Sequence, residues 1–320
     1  MPDSITHAFF AEEVTKKLNI DSIKLNNELY LVGAQGPDPY FYYKFLPWKN
    51  NEGLPKIGNL LHSKFTQRFF LTYLDKLKEN YSKNGYSFIL GWICHYALDS
   101  ITHPYIYHFT GNYIKTDKST YSYRGNHLQL ERSIDSIFLR RKGYNSNKFK
   151  ATKEIFTLLE IPSEVVQLLD STIKDIYGLD NMGNNYNNAY KDYRKSLNIM
   201  SYDPYGIKKL LYRVMDLFNR KSKFVYKTFS YYNNVNPKVD YLNESNIEWV
   251  HPLDDSEVST ESFIDLYNKA KNKAAFIITK VNEYMLNKNT DLSNVIKNIT
   301  YDTGREFSDK SQMKYFNSIL

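Results

Sequence analysis

The stretch from Tyr86 to Thr102 constrains this chain more than any other. Phe88, Ile89, Leu90, Trp92, Ile93 and Leu98 crowd into it. A helix this apolar does not belong on a surface, so the run predicts a buried helix over 86–102. Pro104 marks its expected end, because proline cannot donate the next helical hydrogen bond. The same helix carries His95, Asp99 and His103, each four residues from the next. Residues four apart share one helix face, offset by about 40°. Polar groups inside an apolar helix must be hydrogen-bonded, paired with charge or bound to metal. His95 and Asp99 are placed to share one metal ion, and His103, a turn further on, reaches toward a neighbouring one. The alternative is a hydrogen-bonded His–Asp pair in the core.

A second pair of the same spacing follows at His127 and Glu131. One such pair is common on exposed helices. Two in one chain, both before position 132, are more specific. Six of the seven histidines lie between positions 7 and 127: His7, His62, His95, His103, His108 and His127. His62 sits on a helical stripe after Gly58, and His7 follows Thr6 near the amino terminus. Asp38 stands in Gly36-Pro37-Asp38-Pro39, a turn that fixes the backbone and aims one carboxylate. Tyr40, Phe41, Tyr42 and Tyr43 follow, and Tyr40 and Phe41 are candidates to line a headgroup pocket by cation–π contact. His108 and His251 lack a carboxylate pattern and are set aside. The single cysteine, Cys94, lies inside the apolar helix, which predicts a buried, inert thiol. One cysteine excludes an intrachain disulfide and a Cys-based zinc site, so His, Asp and Glu are the available ligands.

Helical periodicity dominates the rest. Stripes predict helices over 4–18, 60–78, 126–141, 151–160, 162–177, 185–199, 205–232 and 260–287. Loops are expected at 33–58, 110–125, 178–185 and 233–258, and no convincing strand pattern stands out. The reading is all-α, a single helical domain over about 1–290 with its motifs within 1–140. Residues 291–320 read as a polar C-terminal tail. The net charge of +7 suits anionic partners without choosing among them. No stretch approaches eighteen apolar residues, so no transmembrane segment is expected. The first residues lack the basic start and apolar core of a signal peptide, which makes a cytoplasmic location the expectation.

Taken in order, Thr6-His7, Gly36-Pro37-Asp38, His62, Gly91-Trp92-x-x-His95-Tyr96-x-x-Asp99, Thr102-His103-Pro104 and His127-x-x-x-Glu131 resemble the zinc-dependent phospholipase C family, relatives of the S1/P1 nucleases. The motifs cover residues 1 to about 140. The resemblance implies an all-helical fold with two to three zinc ions in a cleft. By motif, Asp38, His62, His95 and Asp99 would hold one zinc. Asp99 would bridge to a second, which also takes His7 and the N-terminal amine. His103, His127 and Glu131 would hold the third. Asp38 would be the catalytic base.

Two departures stand out. Three residues separate Asp99 from His103, where the secreted bacterial enzymes have five. Those enzymes begin with a tryptophan exposed by processing, and this chain begins Met1-Pro2, so a freed Pro2 amine is the counterpart ligand. The resemblance implies hydrolysis of a phospholipid or similar phosphodiester, releasing diacylglycerol and a phosphorylated headgroup, with peripheral contact to a membrane surface. Two alternatives remain. One is a nuclease-like zinc enzyme that stacks bases on its aromatics, the only reading with a nucleic-acid partner. The other is a non-catalytic, metal-stabilised helical binding protein.

Overall fold

A computed structural model describes residues 3–18, 25–46, 48–218, 226, 235–308 and 312–319. Its helices are α1 (Ser4–Leu18), α2 (Asn27–Gly33), α3 (Pro55–Ser63), α4 (Thr66–Glu79), α5 (Lys83–Thr110), α6 (Tyr121–Arg141), α7 (Ala151–Glu154), α8 (Ser163–Tyr177), α9 (Met182–Met200), α10 (Ile207–Phe218) and α11 (Phe263–Met285). Short 3₁₀ turns lie at Asp38–Tyr42 and Lys118–Thr120. Among the described residues the fold is all-α apart from one antiparallel pair, β1 (Trp249–His251) and β2 (Asp254–Ser259). That pair occupies the end of the expected 233–258 loop and runs one residue past it. Its two strands are short and largely uncovered, so no alternation of apolar residues announced them.

The buried helix is α5, and it is the spine of the molecule. It packs most extensively on α11 and α2, with α1, α6 and α8 around it. Ser82 caps its first turn by accepting the Gly85 N–H. The helix does not stop near Pro104, as the sequence predicts, but continues to Thr110. The carbonyl that Pro104 cannot bond belongs to Ser100. Gly304 packs so closely there that a Cβ would lie 2.2 Å from the Ser100 oxygen, on a backbone with φ +64°. The proline is tolerated because another segment covers the opened turn.

Gly304 belongs to the stretch expected as a tail. That expectation is corrected: Leu292, Ile296 and Tyr301 are buried in the core and anchor the stretch. The predicted 60–78 helix is two helices. Phe65 adopts left-handed φ of 56° between α3 and α4, and Pro55 starts α3 three residues before the expected 33–58 loop ends. The 151–160 prediction shrinks to the single turn α7. The 205–232 prediction holds over α10, and 219–225 and 227–232 lie outside the described residues. No described helix is long and apolar enough to cross a membrane.

The start of α1 is fixed from α6. Asp135 accepts the Ile5 and Thr6 backbone N–H groups at 3.0 and 2.8 Å, two of the donors every helix start leaves unmatched. Asp3 caps the same turn through the Ser4 N–H at 2.8 Å and pairs with Arg132 Nε at 3.1 Å. This lock sets the rotation of α1 and, one turn in, the position of His7.

Gly304→Ala tests the cover over Pro104. A side chain there meets both left-handed backbone and a backbone carbonyl. It should destabilise the protein by about 3 kcal/mol. A urea midpoint unchanged from the parent would show that the turn does not depend on this contact.

Candidate metal centre

Seven of the eight side-chain ligands expected from spacing and from the resemblance are buried, and His127 is largely so. Their donor atoms gather in three groups: His7 with His95 and Asp99, Asp38 with His62 and His95, and His103 with His127 and Glu131. Within each group the donor atoms lie within 4.8 Å of one another. His95 belongs to two groups. Asp99 turns Oδ1 toward His7 Nε2 at 3.1 Å and Oδ2 toward His95 Nε2 at 3.0 Å, with His62 Nε2 at 3.9 Å. Asp38 Oδ1 lies 3.2 Å from His62 Nε2 and 3.9 Å from His95 Nε2. Glu131 Oε1 lies 2.9 Å from His127 Nε2 and 3.9 Å from His103 Nε2.

Each of three imidazoles is oriented by a backbone carbonyl. His62 Nδ1 donates to Gly58 at 2.7 Å, His95 Nδ1 to Ala34 at 3.2 Å and His103 Nδ1 to Tyr301 at 3.1 Å. A carbonyl only accepts, so each Nδ1 carries the proton and each Nε2 presents its lone pair to the cluster. The 34–38 turn that supplies Ala34 and Asp38 is held from α9. Tyr186 donates to Gly36 O at 2.8 Å, and Tyr193 to Gln35 Oε1 at 2.7 Å. Gly36 has φ +50°, and a Cβ there would stand 2.4 Å from the His95 ring. His7 stacks on His95 with ring centroids 4.4 Å apart.

Charge and burial compete here. Burial alone would raise the Asp99 carboxyl, but His95, His103 and His7 outweigh it and hold it well below the usual range. Burial pushes His7, His103 and His127 below the ordinary imidazole value, toward the neutral form that ligates metal. His62 goes the other way: burial lowers it, but the hydrogen bond and charge of Asp38 leave it raised.

The donor set fits metal. His7 Nε2, His95 Nε2, His103 Nε2, Asp38 Oδ1 and both Asp99 oxygens are buried and make no hydrogen bond of acceptable geometry. Polar atoms left this way are costly unless a further partner sits among them. Imidazole and carboxylate at these spacings suit zinc.

The cluster opens into a cleft of about 680 Å³. Phe41 lines it, 5.4 Å from the His62 ring. Tyr40 does not. It is fully buried and donates to Met182 O at 2.8 Å, because the 3₁₀ turn points it back into the α9 packing. Pro2 lies outside the described residues. His108 is buried away from the three groups, and His251 is tied to Thr303 O. Cys94 is buried against Tyr30, and burial pushes its thiol up to about 12.

Two residues escaped the sequence reading. Tyr301 donates its N–H to His62 O at 2.8 Å, accepts from His103, and packs its ring against His62 and His95. Asp302 lines the cleft 3.6 Å from His103 Nδ1 and accepts from Tyr107 OH; burial raises its carboxyl. The one signal was an aromatic–acid–Thr–Gly turn inside an otherwise polar stretch.

A family model described as zinc-dependent phospholipase C matches residues 6–200, more than half of the chain. No curated protein and no solved structure matches it.

Asp99 stands within 4.0 Å of four imidazoles, those of His7, His62, His95 and His103, and Glu131 within 3.9 Å of two, those of His103 and His127. Asp99→Ala should therefore cost more zinc per chain than Glu131→Ala, read by elemental analysis of protein purified without a metal-binding tag. Equal losses would remove the shared role of Asp99.

Proposed function

We propose that this chain, which belongs to the zinc-dependent phospholipase C family, hydrolyses a phospholipid or similar phosphodiester in the cleft above its three donor groups. The single observation that carries this reading is the convergence of buried, hydrogen-bond-free donor atoms from α1, the 38–42 turn and α5 at the floor of an open cleft. His7, Asp38, His62, His95 and Asp99 would hold up to two zinc ions, with Asp99 between them. His103, His127 and Glu131 would hold a third. Pro2, once freed, would add its amine. Bound zinc supplies Lewis acidity, which acidifies water and neutralises charge on the phosphorus oxygens.

The chain's own residues do the rest. Asp38 lines the cleft, and its carboxylate takes the proton of the attacking water as general base. Phe41, Tyr107, Tyr113 and Tyr123 wall the cleft and exclude water from the reacting centre. Arg124 and Lys49 stand at the lining with side chains that complement a phosphate. The products are diacylglycerol and a phosphorylated headgroup.

The test is a purified zinc-loaded protein offered phosphatidylcholine, a soluble phosphodiester and single-stranded DNA. Release of diacylglycerol supports the reading. Cleavage of DNA alone points to a nuclease, and no turnover on any of them points to a binding protein. Asp38→Asn should keep most of the metal, since the amide retains an oxygen donor, and lose activity by at least about a hundredfold. Full activity in this variant would move the base to another group.

A further inference from the structure

Helix α10 (Ile207–Phe218) turns the wrong face outward. Its sequence is strongly segregated: Ile207, Leu210, Leu211, Val214, Leu217 and Phe218 fall on one side of the helix. In a globular protein that side faces the core. Here it faces solvent, with Leu210 and Leu217 each 64% exposed and Phe218 88% exposed. The opposite side does the packing. Tyr212 is buried and donates to Ile199 O at 3.1 Å. Lys208 Nζ bonds the Asn198 and Ser201 carbonyls at the end of α9, at 2.8 and 3.1 Å. The helix is thus fastened by its polar side and offers its apolar one.

Cations flank the apolar stripe. Arg213 is exposed and Lys209 partly so, one turn apart on the same edge of it. The chain as a whole carries a net charge of +7. An apolar stripe bordered by Lys and Arg on a short helix matches the boundary between lipid headgroups and acyl chains. The cations meet anionic headgroups while the aliphatic side chains enter the acyl layer. The position also suits the cleft. α9 ends at Met200, whose sulfur accepts from Arg132 Nη2 at 3.2 Å, and Arg132 lines the cleft. α10 therefore stands one layer outside the cleft wall.

We propose that α10 docks the protein on an anionic membrane surface, delivering bilayer lipid to the cleft. The delivery rests on the phospholipase reading above; the docking rests on the helix alone.

The experiment uses the full chain and two lipid presentations. Vesicles of phosphatidylcholine mixed with phosphatidylglycerol report partitioning by co-sedimentation. A short-chain phosphatidylcholine below its micelle concentration reports the chemistry without a membrane. The parent protein should partition more strongly to the mixed vesicles than to pure phosphatidylcholine, and less so at high salt. Leu210→Glu/Leu217→Glu should lower partitioning and vesicle hydrolysis at least about tenfold and leave short-chain hydrolysis unchanged. Lys209→Glu/Arg213→Glu should abolish the preference for anionic vesicles. All four side chains reach solvent, and circular dichroism checks that the fold is kept.

The proposal is overturned if the leucine variant partitions like the parent. It is also overturned if the parent is a dimer that the leucine variant splits, since a second copy would then cover the stripe. If the parent partitions as expected but hydrolyses neither lipid, docking stands and the phospholipase reading falls.

Discussion

The structure is organised around the cost of burying Asp99. Its carboxylate is fully enclosed in α5, with both oxygens facing imidazole rings and neither in a hydrogen bond. A charge in that position is unfavourable by several kcal/mol unless opposing charge or metal surrounds it. Everything near it serves that end. His7 arrives from α1, His62 from α3, and His95 and His103 from the turns on either side of Asp99 within α5. Each ring is of use only if its nitrogen points inward, so each must be turned by something else. For three of them that something is a backbone carbonyl, from α3, from the 34–38 turn and from Tyr301.

The orienting groups explain why the chain continues long after its last histidine pair. Residues 6–131 supply every side chain of the three donor groups. The tyrosines that hold the Asp38 turn come from α9, and the carbonyl that turns His103 comes from Tyr301. Gly304 then covers the gap that Pro104 opens next to His103. Proline also disfavours helical backbone in the residue before it, here His103 itself. The corner at 300–304 offsets both effects, and it also reaches His103 directly, through the Tyr301 carbonyl and the Asp302 carboxylate.

Much of the donor set was legible because its chemistry has a period. His95, Asp99, His103 and the His127–Glu131 pair recur at four residues, and a helix puts such residues on one face. The extent of α5 was not legible, because Pro104 is a stop signal locally and the contact that overrides it lies two hundred residues away. Tyr301 and Asp302 were hidden for the same reason: they act through a long-range turn, and nothing in their own neighbourhood repeats. Tyr40 and Phe41 are adjacent and chemically alike, yet one packs behind the turn and the other lines the cleft. Only the direction of the 3₁₀ turn separates them, and composition carries no such direction. In α10 the sequence showed a stripe but not its orientation, since amphipathicity reports two faces and not which is inward.

The same atoms carry stability and function. Burial keeps His7, His103 and His127 toward the neutral form, so these rings are ready to ligate with little proton release. The unfolded chain has no such site, so the free energy of metal binding adds to that of folding. Removing a shared donor such as Asp99 therefore weakens both terms at once, and a loss of activity there says little about mechanism. Asp38 differs. It sits at the cleft edge of the cluster, and its amide counterpart keeps an oxygen in place while losing the ability to take a proton. It is the position at which chemistry and scaffold separate, because only there does a conservative change alter proton transfer without emptying the centre.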